Sequence, residues 1–250
     1  MSASFLLIDL GNSRIKWATA EGEGPIELKG ELPTSEVTTE SIEALAREFS
    51  GYKVVLSSVV PKWTSYLQNS FHRRIHPITS DWSSAGLLFN YPKPGEIGAD
   101  RLAAAACIRW EGICPAIIVQ CGTATAFSVL DDEGRFCGGV IAPGPHAQLA
   151  SLVGATAQLP MIEKLHEIRD ALGTSTEEAI RIGVMLNYRG GVNEILRHLC
   201  RTNKPPLTSI ILTGGNAHLI KDSLEFPCTL RPLLVFEGLR IIGLRAFKDI

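Results

Sequence analysis

Two short glycine turns carry residues that suit phosphate chemistry. The first lies in Asp9-Leu-Gly-Asn-Ser-Arg-Ile-Lys16 and the second in Gly122-Thr-Ala-Thr125. A glycine lets the backbone approach a ligand closely, and nearby N–H and hydroxyl groups can hold phosphate oxygens. Asp9 could hold Mg²⁺ through water, because this ion takes one or two carboxylates together with substrate phosphates. The two turns suggest a nucleotide clamp, although each turn alone is equally typical of an ordinary β-hairpin.

The surroundings of the two turns repeat as well. When the glycines are aligned, Gly11 falls on Gly122, Asp9 falls on Gln120, and Ser13 falls on Ala124. An apolar run precedes each turn, and a second strand-like run, an acidic turn with glycine and a third strand-like run follow it. This repetition favours the clamp over two unrelated hairpins.

A third motif, Gly98-Ala-Asp-Arg101, opens a helix with an acid and a base. The helix dipole favours an acid near the N-terminus, so capping alone would explain Asp100. A cation is disfavoured there, and Arg101 therefore suggests an anionic partner such as a carboxylate or a phosphate. Asp100 could then accept a proton from a substrate hydroxyl group.

Three further features are weaker when taken singly. Thr213-Gly-Gly-Asn216 follows an apolar run and could let an adenine or a ribose lie against bare backbone. Ser57 and Ser58 precede Pro61, where they suit either a helix-entry cap or the lining of a site. Tyr91 could stack on a substrate, although a single loop tyrosine more often serves packing.

Hydrophobic periodicity places these motifs at the ends of strands and the starts of helices. Strands are predicted at residues 5–10, 14–19, 26–32 and 53–58, three times across 116–142, and at 209–213. Helices are predicted at residues 40–49, from 61 onward, and at 98–110, 145–154, 176–200 and 238–247, with a loop at 81–97. This order predicts an α/β fold with mixed sheets. The domains are predicted at 1–115 and 116–250, and packing of the last helix back on the first domain is left open.

Composition excludes several classes of function. The chain has 250 residues, a net charge of −2 and 45% hydrophobic residues. We expect no nucleic-acid partner, because the sequence has no basic stripe, and no membrane span, because no apolar run approaches the required length of about 20 residues. We expect no signal peptide, because the first residues have no basic region and Asp9 interrupts their apolar run. The six cysteines form no CxxC pair, which favours buried free thiols and a cytoplasmic protein; they are Cys107, Cys114, Cys121, Cys137, Cys200 and Cys228.

Together, the motifs resemble those of type III pantothenate kinases over nearly the whole chain. The matching segments are Asp9–Ser13, Ser57–Pro61, Gly98–Arg101, Gly122–Thr125, Gly139–Gly144, Thr156–Pro160, Gly173–Thr176, Thr213–Gly215 and Glu237–Leu239. The resemblance implies two duplicated ribonuclease H-like domains of the actin/hexokinase type with a nucleotide between them. It also implies ATP-dependent phosphorylation of pantothenate to 4′-phosphopantothenate, the first step of coenzyme A biosynthesis.

The resemblance also implies residue roles. Asp100 would be the general base for the pantothenate hydroxyl. ATP would be bound by Asp9, Leu10, Gly11, Asn12, Ser13, Arg14, Ile15, Lys16 and Thr123. Pantothenate would be bound by Tyr91, Gly98, Ala99, Asp100, Arg101 and Thr176, the last of these across the interface of a homodimer. The cofactors would be Mg-ATP, with Asp9 holding Mg²⁺ through water, and a K⁺ or NH₄⁺ ion.

Two positions depart from the family pattern. The family usually has an Asp that binds the monovalent ion where this chain has Gln120, and a Thr is common where it has Ala126. A neutral amide offers one carbonyl oxygen and no charge. The departures leave open a catalytically weak or inactive ligand-binding relative on the same fold. A kinase for another small alcohol is a third possibility, which the intact Gly98–Arg101 motif disfavours.

Overall fold

A computed structural model describes residues 3–78, 86–162, 164–166, 168, 172–202 and 209–247. The chain forms two compact units. Unit 1 comprises Met1–Cys114, Glu133–Cys137 and Leu233–Ile250, and unit 2 comprises Pro115–Asp132 and Gly138–Pro232. The division into two related domains at residue 115 stays a prediction. Residues 81–85 of the predicted loop lie outside the described residues.

The described residues form six α-helices, five short 3₁₀ helices and eleven strands. The α-helices are α1 (Thr39–Glu48), α2 (Pro61–Phe71), α3 (Ala99–Trp110), α4 (Pro145–Gly154), α5 (Thr176–Thr202) and α6 (Leu234–Ala246). The first five strands are β1 (Ser4–Leu10), β2 (Arg14–Glu21), β3 (Glu27–Pro33), β4 (Lys53–Ser58) and β5 (Ile75–Pro77). The others are β6 (Leu88–Phe89), β7 (Ala116–Cys121), β8 (Ala124–Leu130), β9 (Arg135–Pro143), β10 (Ser209–Thr213) and β11 (Thr229–Leu230).

The sheet of unit 1 has the strand order β3-β2-β1-β4-β5. Strand β1 is antiparallel to β2 and parallel to β4, so the sheet is mixed. One face of β1 packs Ile8 and Leu10 against apolar residues of α1 and α2, including Ile42 and Leu67. The opposite face carries Phe5 and, at the end of the strand, Asp9, because side chains alternate along a strand.

Small residues let α3 and α6 pack closely in unit 1. Helix α3 has a run of four fully buried alanines, Ala103–Ala106. A Cβ atom on Gly238 of α6 would lie 1.9 Å from the Ala103 carbonyl oxygen, so only glycine fits there. A Cβ on Gly243 would lie 2.7 Å from Val55 of β4, which seats α6 on the sheet. The close packing places the start of α3 on the Asp9 face of unit 1.

The strand order of unit 1 recurs in unit 2. Strand β7 is antiparallel to β8 and parallel to β10, in the sheet order β11-β10-β7-β8-β9. At the far edge, the two-residue strand β6 pairs with Arg135 and Phe136, the first residues of β9, which belong to unit 1. The strands β1 and β7, which precede the two glycine turns, therefore lie in the interior of their sheets, and the predicted α/β class with duplicated mixed sheets is confirmed.

The structure corrects several element boundaries. The last helix begins at Leu234 rather than at residue 238, and Leu233 at its N-cap provides no side-chain cap that could mark the start. Strands β5, β6 and β11 have only two or three residues, which is too short for periodicity to show. Strand β6 lies inside the span predicted as a loop.

Two findings bear on the classes of function considered above. No helix in the described part of the chain has the length and apolar character needed to cross a membrane. All six cysteines are free; Cys107 and Cys121 are buried, whereas the other four are partly exposed.

Candidate active site

The first glycine turn joins the central strand β1 to β2. Asp9 lies opposite Lys16 of β2 and beside Ser57 of the parallel strand β4. The Gly11 N–H donates to the Arg14 carbonyl at 2.9 Å, which closes the turn. Sequence and sheet order thus bring the carboxylate, the ammonium and the hydroxyl to one end of the sheet.

Thr34, directly after β3, holds the carbonyl side of this turn. Its hydroxyl donates to the Gly11 carbonyl at 2.8 Å, and its backbone N–H donates to the Ser13 carbonyl at 2.9 Å. Asn12 and Ser13 themselves are exposed. These two hydrogen bonds from Thr34 hold the backbone of the turn, while Asn12 and Ser13 lie at its exposed surface.

Both cations of the first turn contact Glu31 of β3. The Arg14 guanidinium lies 2.6 Å from one Glu31 oxygen, and the Lys16 ammonium lies 3.7 Å from the other. Exposed ion pairs of this kind stabilise a protein by about 0–1 kcal/mol. A phosphate group could therefore replace Glu31 as the partner of these two cations at small cost.

The Asp9 carboxyl group has an unusual ionisation. Withdrawal from water and, to a lesser extent, the nearby Asp100 carboxylate raise its pKa to about 7, although Ser57 and Lys16 oppose the shift. The protein alone therefore does not neutralise a charged Asp9. A bound cation would do so, and one carboxylate with an adjacent hydroxyl fits Mg²⁺ held through water. Asp9 thus suits the predicted magnesium role.

The N-terminus of α3 presents Asp100 and Arg101. Gly98 is the N-cap residue, and it has no side chain with which to cap. The Asp100 carboxylate turns back toward it, since a Cβ on Gly98 would lie 2.7 Å from Asp100 Oδ1. Burial raises the pKa of Asp100, whereas the backbone N–H and the positive charge of Arg101 oppose the rise. The Asp100 side chain can thus accept a hydrogen bond from the backbone at the helix start and can also accept a proton from a substrate.

Arg101 and Tyr91 meet at Phe136. The Arg101 guanidinium lies 5.3 Å from the centre of the Phe136 ring, and the Tyr91 ring meets the same ring edge-on at 6.0 Å. Burial lowers the pKa of Arg101, and Asp100 and Tyr91 oppose that effect. Tyr91 thus packs on Phe136, the commoner role of a loop tyrosine, while its half-buried ring remains near Arg101.

Gly98 and Ala99 also line a cavity in unit 1. It has a volume of about 430 Å³, and its walls include Ser58, Val59 and Ile97. Ser58 lies at the entry to α2, where its Oγ accepts from the Val60 N–H at 3.2 Å, although the helix has no side-chain cap at its N-cap residue Val60. Of the two serines considered above, Ser58 lines the cavity and bonds at the helix entry, and Ser57 lies beside Asp9.

The second glycine turn, between β7 and β8, is one residue shorter than the first. The Gly122 N–H donates to the Ala124 carbonyl at 3.1 Å, where Gly11 reaches one residue further to Arg14. Ala124 therefore corresponds to Arg14, and the alignment of Ser13 with Ala124 was wrong. The register also pairs Gln120 with Ala126 where unit 1 pairs Asp9 with Lys16.

Gln120 is buried at the end of β7, with 7% of its surface exposed. Its Oε1 atom has no hydrogen-bond partner within the described residues. Its neighbours in the sheet are Ala126 and Thr213, neither of which carries a charge. A monovalent cation at Gln120 would find an amide oxygen but no carboxylate on these strands. Nor do the described residues hold any group of three or more His, Cys, Asp or Glu side chains that could bind a metal.

Thr176 lies in a different part of unit 2 from the glycine turn. It is the first residue of α5, is exposed, and lines a cavity of about 470 Å³ that α4 and α5 border. Thr123, by contrast, is exposed within the turn itself.

Sequence reasoning missed several residues of the site. Glu31, Thr34 and Phe136 reach it from strands or a loop distant in sequence, and no local motif marks them. Only the register of β2 with β3 reveals Glu31, since Lys16 lies directly opposite it.

The geometry and the comparisons with known proteins define a class. Residues of unit 1 and unit 2 form two mixed sheets of one strand order, each with a glycine turn at the end of its central strand. Solved structures with a similar fold include an inorganic polyphosphate/ATP-glucomannokinase from Arthrobacter sp. strain KM, with a TM-score of 0.51 and 16% identity over 97% of this chain and 99% of that chain. An archaeal actin homologue, Ta0583, has a TM-score of 0.51 and 14% identity over 97% of this chain and 99% of its own. The fold is that of the actin/hexokinase-like ATPases.

The sequence comparisons identify the family within this class. The family model for type III pantothenate kinase matches residues 5–198. The type III pantothenate kinase of Methylacidiphilum infernorum is 34% identical over 240 residues, which cover 95% of this chain and 87% of the relative. The chain belongs to the type III pantothenate kinase family.

Proposed function

We propose that the chain transfers the γ-phosphoryl group of ATP to the 4′-hydroxyl of pantothenate, the first step of coenzyme A biosynthesis. The observation that carries the proposal is the pair of acids in unit 1, Asp9 at the end of β1 and Asp100 at the start of α3. The two carboxyl groups interact electrostatically, since the Asp100 carboxylate helps to raise the pKa of Asp9. One acid suits metal–phosphate binding, and the other suits proton acceptance.

Asp100 is the proposed general base. Burial raises the pKa of its carboxyl group, and a base whose pKa lies nearer to the working pH accepts a proton more readily. The Arg101 guanidinium beside it balances the charge of the carboxylate. Arg101 also suits the pantothenate carboxylate or the developing charge of the phosphoryl group. Gly98, Ala99 and Tyr91 complete the proposed acceptor site.

Residues 9–16 are proposed to hold the ATP phosphates, and Thr123 is proposed as a further ATP contact. Mg²⁺ bound with ATP would neutralise phosphate charge, and Asp9 would hold its water ligands. Lys16 and Arg14 would exchange Glu31 for phosphate oxygens. Catalysis would then rest on positioning and charge neutralisation, as is usual for phosphoryl transfer.

The monovalent cation of the family is proposed to be dispensable in this chain. Gln120 supplies one neutral oxygen, and Ala126 and Thr213 beside it supply no charge. Desolvating a cation is costly unless a charged or multiple-oxygen site replaces its water. We therefore expect similar activity in K⁺, NH₄⁺ and Na⁺.

A homodimer is proposed from the exposed face of α5. Gly183, Leu186, Asn187, Gly190 and Gly191 share this face, and all five are exposed. A glycine inside a helix costs about 1 kcal/mol relative to alanine, yet nothing described lies within 4 Å of where a Cβ on these glycines would be. A second copy packed along this face would account for them and would cover Leu186, which is 56% exposed. Thr176 begins the same helix and would reach pantothenate from the partner copy. Light scattering should give twice the mass of the chain.

The deciding experiment measures ADP release with pantothenate and Mg-ATP in Na⁺, K⁺ and NH₄⁺ buffers of equal ionic strength. Turnover in all three supports the proposal. The neutral pair Gln120 and Ala126 favours one alternative, a relative that binds ligands without turnover. That protein would bind ATP in a calorimeter yet release no ADP in any buffer. Turnover with other small alcohols but not with pantothenate would instead indicate a different acceptor.

A further inference from the structure

The loop after β10 packs directly on the second glycine turn. Asn216 in this loop makes two hydrogen bonds to it: its backbone N–H donates to the Cys121 carbonyl at 3.0 Å, and its side-chain Nδ2 donates to the Gly122 carbonyl at 3.0 Å. Asn216 is half-buried, and all these residues belong to unit 2. A single residue thus fixes two successive carbonyl groups.

The backbone around Asn216 requires this close approach. Gly214 has a φ of 95°, in the region that favours glycine, and a Cβ there would lie 2.4 Å from the Cys121 carbonyl oxygen. From another direction, the Gly144 N–H before α4 donates to the Thr123 carbonyl at 3.0 Å. The carbonyl groups of Cys121, Gly122 and Thr123 therefore all point into unit 2.

The orientation of these carbonyls sets the direction of the N–H groups. In a trans peptide the N–H points opposite to the C=O, so a Gly122 carbonyl held by Asn216 turns the Thr123 N–H away from Asn216. Backbone N–H groups of a glycine turn are the usual means of holding phosphate oxygens. Asn216 thereby acts on the side of the turn that faces a ligand without touching that ligand.

The first glycine turn uses the same device with a different residue. There the Thr34 hydroxyl donates to the carbonyl of Gly11, which corresponds to Gly122. Thr34 and Asn216 come from different elements and have no sequence similarity around them. The same carbonyl is nevertheless bound by a side-chain donor in both units, which argues that its orientation matters for both turns.

We propose that Asn216 is a positioning residue for ATP, which fixes the Gly122–Thr123 peptide so that the second turn can bind phosphate. The proposal depends on the proposed function, because it takes Thr123 as an ATP contact.

The test compares Asn216 with a matched asparagine of the same unit. Asn193 of α5 donates from Nδ2 to the Ser223 carbonyl at 3.0 Å and accepts from the Glu225 N–H at 3.0 Å. Asn216→Asp and Asn193→Asp both replace an amide donor with a carboxylate oxygen that repels a carbonyl. Asn216→Ala and Asn193→Ala remove the donor without adding charge. The Asn216 variants and the Asn193 variants should all lower the melting temperature, and only the Asn216 variants should weaken the binding of ATP.

We expect the KM for ATP to rise about tenfold in Asn216→Ala and more in Asn216→Asp, the effect of one lost hydrogen bond with or without charge repulsion. The KM for pantothenate should stay within about twofold of wild type, since the hydrogen bonds of Asn216 lie within unit 2, whereas the proposed residues Tyr91 and Gly98–Arg101 belong to unit 1. Thr34→Val, which removes the donor to Gly11, should raise the KM for ATP in the same way. Equal changes in the Asn216 and Asn193 variants, or an unchanged KM in Asn216→Ala, would overturn the proposal.

Nucleotide binding separates this proposal from the proposed function. The dissociation constant for ADP is measured by calorimetry on the whole chain without any acceptor. If pantothenate is not the acceptor, the wild type releases no ADP, yet the ADP constant of Asn216→Ala should still rise about tenfold while that of Asn193→Ala does not. If Asn216→Asp fails to fold, Asn216→Ala and Thr34→Val carry the test.

Discussion

The two glycine turns share a backbone and differ in charge. In each, the glycine N–H donates across the turn, and a side chain from another element binds the glycine carbonyl. At the preceding strand end, unit 1 pairs Asp9 with Lys16, whereas unit 2 pairs Gln120 with Ala126. The neutral pair shows that the turn forms without charges. Asp9 is therefore better explained by a ligand than by the fold.

At the next cross-strand pair, the polar and apolar characters of the two units are exchanged. The pair that follows Asp9 and Lys16 along the strands is apolar, Leu10 with Ile15, and it packs into the core. Its counterpart is Cys121 with Thr125, and the Thr125 hydroxyl lies 2.9 Å from the Tyr188 hydroxyl of α5. Burial raises the pKa of Cys121 to about 11, so this thiol stays protonated. Unit 1 thus has ionisable side chains at the Asp9–Lys16 pair and an apolar pair next to it, whereas unit 2 has a neutral pair and then a polar, hydrogen-bonded one.

The largest effect is expected at Asp100, because unit 1 alone carries a proposed general base. Asp100→Asn keeps the shape of the side chain but cannot accept the proton. Turnover should fall by about 10²–10⁴, the usual loss for a general base. The measurement is ADP release at saturating pantothenate and Mg-ATP.

The exposed Asp132, between β8 and β9, gives the control for that variant. Asp132→Asn makes the same chemical change at the surface and should leave turnover within about twofold of wild type. Unchanged turnover in Asp100→Asn would remove Asp100 from the mechanism and would leave Arg101 without its proposed partner.

The second prediction concerns Asp9→Asn. This variant replaces the acid of the first glycine turn with a neutral amide, as Gln120 is in the second turn. In metal-free buffer, Asp9 has a pKa raised to about 7 in the folded chain, above its ordinary value of 3.8. The protonated form is therefore favoured by folding, and its contribution to stability is present below pH 3.8 and is lost as the pH rises through 7. Asp9→Asn should be more stable than wild type at pH 8, with the difference shrinking toward pH 5. Urea unfolding at several pH values measures it.

Activity should move in the opposite direction in Asp9→Asn. Loss of a residue that holds a metal through its water ligands typically costs about 10- to 100-fold in metal affinity or activity. The exposed Asp222 supplies the control: Asp222→Asn should change neither the pH dependence nor the rate. A variant that loses stability at pH 8 would show that Asp9 is a structural residue.

Much of unit 1 and unit 2 could be predicted because local pattern and local structure agree. The buried strand Lys53–Ser58, helix Pro145–Gly154 and strand Ser209–Thr213 have the predicted bounds. Each is a short apolar run between glycine, proline or polar residues, so pattern and packing point to the same element. The resemblance of the ordered motifs to a family added the implied roles, which periodicity alone could not supply.

The features that the sequence did not predict depend on strand register and on contacts between distant segments. The alignment of Ser13 with Ala124 went wrong because turn length is set by the cross-strand bonds of Gly11 and Gly122, which the sequence does not display. The sequence of Thr213–Asn216 suggests bare backbone for an adenine or a ribose, and it does not show that the Asn216 side chain bonds to a turn 94 residues away. Short strands such as β6 exist only because a longer neighbour offers an open edge.

The smallest effect is expected from restoring the acid to the second turn. Gln120→Asp places a carboxylate where only Ala126 and Thr213 are adjacent, so its burial is costly unless a cation binds. K⁺ should therefore raise the melting temperature of the variant relative to Na⁺ at equal ionic strength, and K⁺ should also raise its rate. At ten times the dissociation constant, bound ion adds about 1.4 kcal/mol, or roughly 3–5 °C.

Wild type should show no such preference for K⁺, because Gln120 offers a single neutral oxygen. Asn69→Asp on the exposed surface of α2 adds the same charge elsewhere, and it should respond equally to both salts. A K⁺ preference already present in wild type would mean that other groups hold the ion. Equal responses of Gln120→Asp to K⁺ and Na⁺ would show that an acid alone does not make the second turn an ion site, and the difference between the two turns would then lie in more than charge.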